Sequence, residues 1–278
     1  IVTSLIYADG LFVDFVYAAL GCLASGAVLV AVTRRHKREL RSRDGFLLVT
    51  LGWAFMSAIA TVPLLIALPG LTFTDAFFET MSGLSTTGAT VLTGLDTMAP
   101  SLNLWRHALN WYGGMGIIVL VVAILPMLGV GGMQLYKAET PGPVKDEKLT
   151  PRITQTARAL WVVYLLITIA CVLSLKVAGI NWFDAVCHAF ATLALGGFST
   201  YDASVGHFDS PAIELVLIVF MLISAMNFAR HFIAWQQKSL RTYATDVEAK
   251  AMLSIIGIST VGVATYIWAH DVYPSFWT

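Results

Sequence analysis

Two short segments carry residues that an apolar chain has no packing need for. In 85-STTGATV-91, four of the seven residues are Ser or Thr and one is Gly; 194-ALGGFST-200 pairs Gly196 with Gly197 and places Ser199 two residues later. Glycine lets the backbone leave helix and strand dihedrals without a Cβ clash, so that successive carbonyls can be aimed at one point. Uncharged carbonyl oxygens can replace the hydration shell of a monovalent cation without trapping it through full charge. The carbonyls placed for this are those of Thr86, Thr87 and Gly88, and those of Leu195, Gly196 and Gly197. The hydroxyls of Ser85, Thr86, Thr87 and Thr90 are expected to hydrogen-bond the segment's own amides. The competing reading is that both segments are small residues serving close helix packing.

The elements that must position these segments belong to a membrane. Hydrophobic residues make up 57% of the 278 positions and charged residues 12%, and the mean hydropathy is +0.75. An integral membrane protein follows. Spans of the required length, about 20 mostly apolar residues, are expected at 11–32, 46–69, 104–130, 159–180, 211–235 and 251–270. The net charge is zero and offers no basis for nucleic-acid binding. Of the 17 Lys and Arg, six lie between Arg34 and Arg43, five between Lys137 and Arg158 and four between Arg230 and Lys250. By the positive-inside rule these three clusters are cytoplasmic. No basic leader precedes 11–32, so no cleavable signal peptide is expected.

This topology leaves 70–103 and 181–210 starting and finishing outside. Each contains a helix-like stretch, 73-FTDAFFETMSGL-84 or 182-WFDAVCHAFATL-193, followed by its glycine segment. Irregular backbone at membrane depth is tolerated only where protein buries it or it lines a watery cavity. Each leftover therefore reads as a half-helix entering from outside and an extended return strand. A shift of 109 residues sets Asp75 on Asp184, Glu79 on His188, Gly88 on Gly197 and Thr90 on Ser199 without a gap. Asp near the start of each half-helix suits the positive end of the helix dipole. Both copies begin and end in the cytoplasm, so they are parallel, which disfavours an inverted-repeat transporter. Parallel units about one axis bring their half-helices and return strands together, as in K⁺ channels.

Other polar residues receive plainer readings. Glu79 and His188 are expected to hydrogen-bond behind the segments, with a proton relay as the alternative. Arg106 with His107, Arg230 with His231, and Lys176 are expected to snorkel from helix ends to the interface. The glycines of 113-GGMG-116 read as packing or bending points. The run 129-GVGGMQ-134 lacks the strand-to-helix context of a nucleotide site. Cys22, Cys171 and Cys187 have no metal or redox spacing and read as small apolar residues. No enzyme motif is present.

Together, 77-FFETMSGLSTTGATV-91, 113-GGMGIIVLVVAILPMLGVGGMQL-135, 139-ETPGPVKDEKLTPRI-153 and 194-ALGGFSTYDAS-204 resemble the TrkH/TrkG branch of the Trk/Ktr/HKT superfamily of potassium transporters. The resemblance covers nearly the whole chain. It implies an all-α integral membrane protein of tandem parallel M1-P-M2 repeats with re-entrant pore loops, preceded by an extra N-terminal transmembrane helix. The corresponding division is 1–43 for that helix and its basic loop, 44–136 for the first unit and 137–158 for a cytoplasmic linker. The second unit takes 159–240, and 241–278 is the start of a third. The resemblance implies a K⁺ filter of backbone carbonyls at Thr86, Thr87, Gly88, Leu195, Gly196 and Gly197, supported by Ser85, Thr90, Ser199 and Glu79. Gly88 matches the K⁺-associated form of the first loop, where Ser goes with Na⁺ preference. The implied function is the pore-forming subunit of a K⁺ uptake system, with an H⁺- or Na⁺-coupled K⁺ symporter as the alternative. Membrane lipid, a second copy of the chain and a cytosolic TrkA-like subunit are the implied partners. NAD(H) or ATP would belong to that subunit, with no cofactor on this chain. The implied location is the bacterial inner membrane, crossed several times. Such a pore takes four units, so the sequence is expected to be a fragment, with a further Gly-bearing pore loop following Thr278.

Overall fold

The computed structural model describes residues 1–34, 42–124 and 153–270, which are helical with no β-strand among them. They form two compact units, Ile1–Ala225 and Met226–Thr278. The basic runs at 35–41 and 137–152, the segment 129–134 and the end of the chain from 271 lie outside the described residues.

In the first unit, α1 (Val2–Tyr7) leads into α2 (Phe12–Thr33), then α3 (Ser42–Ala60), α4 (Val62–Ala67), α5 (Phe73–Leu84) and α6 (Pro100–Ile124). The second repeat follows as α7 (Ile153–Val177), α8 (Trp182–Leu193) and α9 (Pro211–Ala225). Segments Phe12–Thr33, Thr50–Ala67, Ala159–Val177 and Val247–Ala269 are long and apolar enough to cross a membrane. These four meet the expected spans 11–32, 46–69, 159–180 and 251–270, with breaks that local chemistry explains, while residues 125–130 of the expected span 104–130 lie outside the described residues. The span at 46–69 is interrupted at Thr61, just before Pro63, whose ring removes one amide from the ladder. Gly116 (φ 67°) leaves helical dihedrals inside α6, so 113-GGMG-116 holds a bending point. The expected span 211–235 is not one helix: it ends at Ala225, and another begins at Phe228. Asn227 stands in the break, a residue type that favours helix starts over interiors.

Phe15 of α2 packs with Leu64, Ala76 and Leu102, joining the N-terminal helix to the first repeat. Asp9, in the corner between α1 and α2, accepts from the Ser101 amide at 3.0 Å, from Leu11 N at 3.2 Å and from the Ser4 hydroxyl. It thereby serves a free amide of the first turn of α6 from another segment. Burial alone would raise its carboxyl, but hydrogen bonds from Ser101, Ser4 and Leu11 outweigh burial and hold it below the usual range.

The second unit contains α10 (Phe228–Gln237), α11 (Arg241–Thr245) and α12 (Val247–Ala269). Of the pair expected to snorkel, His231 does not. Arg230 approaches Asp246 at 3.6 Å, and His231 is buried with Nδ1 2.9 Å from the Tyr243 hydroxyl. Asp246 caps α12 through Glu248 N, so the turn before the helix supplies the partner that water would otherwise provide. Ile255, Ile258 and Val261 are exposed along α12, an apolar surface suited to lipid or protein.

Candidate functional site

The two half-helices, α5 and α8, are built alike down to their caps. The Thr72 hydroxyl accepts from Asp75 N at 3.1 Å and donates to the Asp75 carboxylate at 2.7 Å. Asn181, at the same 109-residue shift, accepts from Asp184 N at 2.9 Å and donates to its carboxylate at 2.5 Å. Each reciprocal pair supplies partners at an N-terminus that has none within the helix. Lys176 donates to Ile180 O at 3.3 Å just before α8, with its ammonium 5.6 Å from the Trp182 ring.

Both half-helices also end alike. Thr87 N reaches Ser82 O at 2.9 Å and Thr86 N reaches Gly83 O at 3.0 Å, while Gly196 N reaches Ala191 O at 2.9 Å and Leu195 N reaches Thr192 O at 3.1 Å. This pair of bonds is the Schellman closure, and it needs a left-handed residue. Thr86 (φ 56°) and Leu195 (φ 55°) supply it, followed two residues later by Gly88 (φ 74°) and Gly197 (φ 80°). A non-glycine residue held there costs about 1–3 kcal/mol and persists only where surrounding structure over-determines it. The six residues named for the carbonyls thus lie in two loops of matching backbone, each at the partially negative end of a half-helix.

The two loops also touch. A Cβ on Gly88 would stand 1.5 Å from the Gly196 carbonyl oxygen, so only glycine fits at this crossing. The return segments are not strands; side chains hold them instead. Thr90 Oγ1 donates to Glu79, lying 3.0 and 2.9 Å from its two oxygens, and Val91 N donates to Glu79 at 3.2 Å. In the second repeat the Ser199 hydroxyl lies 3.0 Å from His188 Nε2, and His188 Nδ1 lies 2.8 Å from Asp184 O. A nitrogen facing a carbonyl must carry the proton, so in the neutral ring Nε2 accepts from Ser199. Glu79 and His188 therefore both act behind their loops as hydrogen-bond partners. The hydroxyls only partly follow the expected pattern. Thr90 Oγ1 does accept from Leu92 N at 3.1 Å, but Ser85 and Thr87 bond each other at 2.8 Å.

Arg106 and His107 contradict the expectation that they snorkel. They are 1% and 0% exposed. Arg106 Nε lies 2.7 Å from Glu79, Nη2 donates to Thr90 Oγ1 at 3.2 Å and Nη1 donates to Asn103 at 3.1 Å. Nη1 also reaches Ser199 O at 3.5 Å, and the guanidinium lies 4.6 Å from the centre of the Phe198 ring. One cation thus touches the first half-helix and both return segments. Asn103, Arg106, His107 and Asn110 recur at helical spacing on α6 and are all buried. That polar stripe in an apolar helix was the available signal. Below it, Gly113 and Gly114 let α6 lie flush against both half-helix ends. A Cβ would meet Leu84 O at 2.0 Å or Ala194 Cα at 2.7 Å. Outside, Asp202 accepts from Gly94 N at 2.8 Å and Leu95 N at 3.1 Å, clasping the two return segments together. No group of three or more His, Cys, Asp or Glu able to hold a metal ion occurs among the described residues. What the two loops can offer a cation is neutral oxygen, from backbone carbonyls and from the hydroxyls of Ser85, Thr86 and Thr87.

Comparison with known proteins gives a consistent answer. A family model described as TrkH, cation transport protein, matches residues 13–270. The Trk system potassium uptake protein TrkH of Halomonas elongata is 48% identical over 276 residues, covering 99% of this chain and 57% of that protein. Its counterpart of the same name in Escherichia coli K12 is 49% identical over 273 residues, covering 98% and 56%. The crystal structure of the potassium transporter TrkH from Vibrio parahaemolyticus superposes with a TM-score of 0.84 at 45% identity, over 99% of this chain and 56% of that one. The chain thus spans little more than half the length of these relatives.

Proposed function

Because this chain belongs to the TrkH family of cation transport proteins, we propose that it supplies part of the pore of a K⁺ uptake protein, with the carbonyls of Thr86, Thr87, Gly88, Leu195, Gly196 and Gly197 as ligands of the passing ion. The observation that carries this reading is the repeated loop backbone, left-handed at Thr86 and Leu195 and again at Gly88 and Gly197. The Schellman closure accounts for Thr86 and Leu195, but helix packing does not call for the second left-handed residue that follows in register in both loops, Gly88 and Gly197. The half-helix ends add negative partial charge where a cation would sit. Ser85, Thr90, Ser199 and Glu79 support the loops from behind. Glu79 is committed to Arg106, Thr90 and Val91, which favours conduction of K⁺ alone over coupling to H⁺ through this carboxylate.

The protein sits, on this reading, in a bacterial cytoplasmic membrane and works as a homodimer with a cytosolic nucleotide-binding subunit of the TrkA kind. Basic residues within 137–158 and 236–250 would face that subunit. The test of the pore is Gly88→Ser in the complete polypeptide that carries this sequence, reconstituted in liposomes and assayed for K⁺ and Na⁺ flux. A Cβ placed 1.5 Å from the Gly196 oxygen must displace one loop, so discrimination changes or flux is lost while the protein still inserts. Unchanged discrimination would overturn the assignment.

A further inference from the structure

Asn110 is the one amide side chain on the buried face of α6 that nothing else engages. Asn103 donates to Leu95 O at 3.1 Å and accepts from Arg106. Asn110, two turns further on, is 0% exposed, and neither its Oδ1 nor its Nδ2 has a hydrogen-bond partner among the described residues. An amide can donate two hydrogen bonds and accept two, and burying such a group unpaired is costly enough that native structures rarely tolerate it.

Its position ties it to the second loop. A Cβ on Gly196 would stand 2.2 Å from Asn110 Nδ2 and 2.3 Å from Oδ1, so the amide packs directly on the glycine Cα. The Gly196 carbonyl oxygen stands 1.5 Å from where a Gly88 Cβ would be. Gly196 is therefore in close contact with both the first loop and Asn110. The amide of Gly196 is already given to Ala191 O at 2.9 Å, so that group is not free to satisfy Asn110. His107, one turn earlier on the same face, is also 0% exposed. Its ring lies 6.2 Å from that of Phe198, the second residue after Gly196. His107 Nδ1 lies 2.7 Å from Asn103 O and its ring is within hydrogen-bonding reach of the Phe198 backbone, which leaves Asn110 as the unsatisfied group in the layer immediately behind the second loop.

We propose that Asn110 holds an ordered water molecule behind the second loop, and that this water bridges the side-chain amide to the loop backbone and fixes the direction of the Gly196 carbonyl. Water is the smallest ligand that can both accept from Nδ2 and donate to Oδ1, and buried waters serve such groups in other folds. Asn110 is then a positioning residue for ion discrimination, lying outside the loop it controls. This rests on the loops being the cation filter.

Leucine matches asparagine in shape but cannot hold the water, whereas serine is smaller and keeps a hydroxyl that can both donate to and accept from water. In the complete polypeptide in liposomes, Asn110→Leu is expected to lower K⁺ over Na⁺ preference by about tenfold, the scale of one lost hydrogen bond to the loop. Asn110→Ser, which leaves room for water and keeps a polar group, is expected to keep most of that preference. A map of the unmodified protein, at a resolution that shows waters, is expected to contain a peak within hydrogen-bond distance of the Asn110 amide. Wild-type preference in Asn110→Leu, with Gly88→Ser altered, would overturn this inference alone. So would a map with no peak there, whether or not the leucine variant can be purified. If Gly88→Ser also left discrimination unchanged, the filter reading would fall and this proposal with it.

Discussion

Replacing Glu79 by Gln tests how the first loop is held. The Glu79 carboxylate lies 2.7 Å from Arg106 Nε, with both side chains 1% exposed. Its oxygens also accept from Thr90 and Val91 N. Gln keeps the shape but loses the charge, and its new NH₂ must face a donor, since Arg106, Thr90 and Val91 all donate to this position. Arg106 is then left as a buried cation with only neutral partners. Removing one member of such a pair costs about 3–5 kcal/mol, most of it the penalty for the stranded charge. Arg106→Gln should cost about the same by stranding the carboxylate. The double variant strands neither, so its cost falls short of the sum by about 2 kcal/mol or more, at the upper end of measured couplings between contacting residues. Equilibrium unfolding in mixed detergent micelles measures all three variants against the parent. Costs that add within about 0.5 kcal/mol, as for independent sites, would refute the claim that the pair acts as one unit. Flux gives a second readout: Glu79→Gln leaves a positive charge beside the Ser199 carbonyl and should raise the KM for K⁺ more than the double variant does.

Two further outcomes follow from particular contacts. Gly114→Ala places a Cβ 2.7 Å from Ala194 Cα, so backbone must move; a loss of about 1–3 kcal/mol, typical of overpacking, is expected in the same unfolding assay. Gly52→Ala, with nothing within 4 Å, is the control and should gain about 0.5–1 kcal/mol from helix propensity. Asp9 has its folded pKa lowered, so its contribution is fully present above the unfolded value, about 3.9, and is lost as pH falls through the folded value. Thermal unfolding followed below about pH 4 should therefore show a loss of stability in the parent that Asp9→Asn lacks. Parallel profiles for the two would rule out the Asp9 bridge to α6.

The repeat and its loops were legible because they depart from their surroundings. Hydroxyls and glycines inside an apolar chain need a reason, and one shift aligned both segments. The same shift also pairs Thr72 with Asn181, whose capping roles emerged only from the structure. Arg106 was misread because α6 was expected to start at 104. The helix begins at Pro100, which carries Arg106 about 9 Å into it at 1.5 Å per residue, where it is buried. The left-handed residues were missed for a different reason. Sequence preference assigns that conformation to glycine, whereas Thr86 and Leu195 adopt it because the Schellman bonds close before the glycine is reached.

Why a buried arginine stands behind the first loop and, among the described residues, none stands behind the second follows from the residues there. Glu79 and His188 occupy equivalent positions and make equivalent bonds, one to Thr90 and the other to Ser199. A buried carboxylate, however, needs a counter-charge, whereas a neutral imidazole can be satisfied by one acceptor and one donor. Aligning the following helices at Pro100 and Pro211 sets Leu217 opposite Arg106, Ile218 opposite His107 and Met221 opposite Asn110. Leu217 is itself buried. The cation is thus present on the helix that faces the carboxylate and absent on the helix that follows the imidazole. Charge matching behind each loop, rather than strict repetition of residues, is what the two copies share. It leaves the same neutral backbone at both loops, as the proposed carbonyl filter requires.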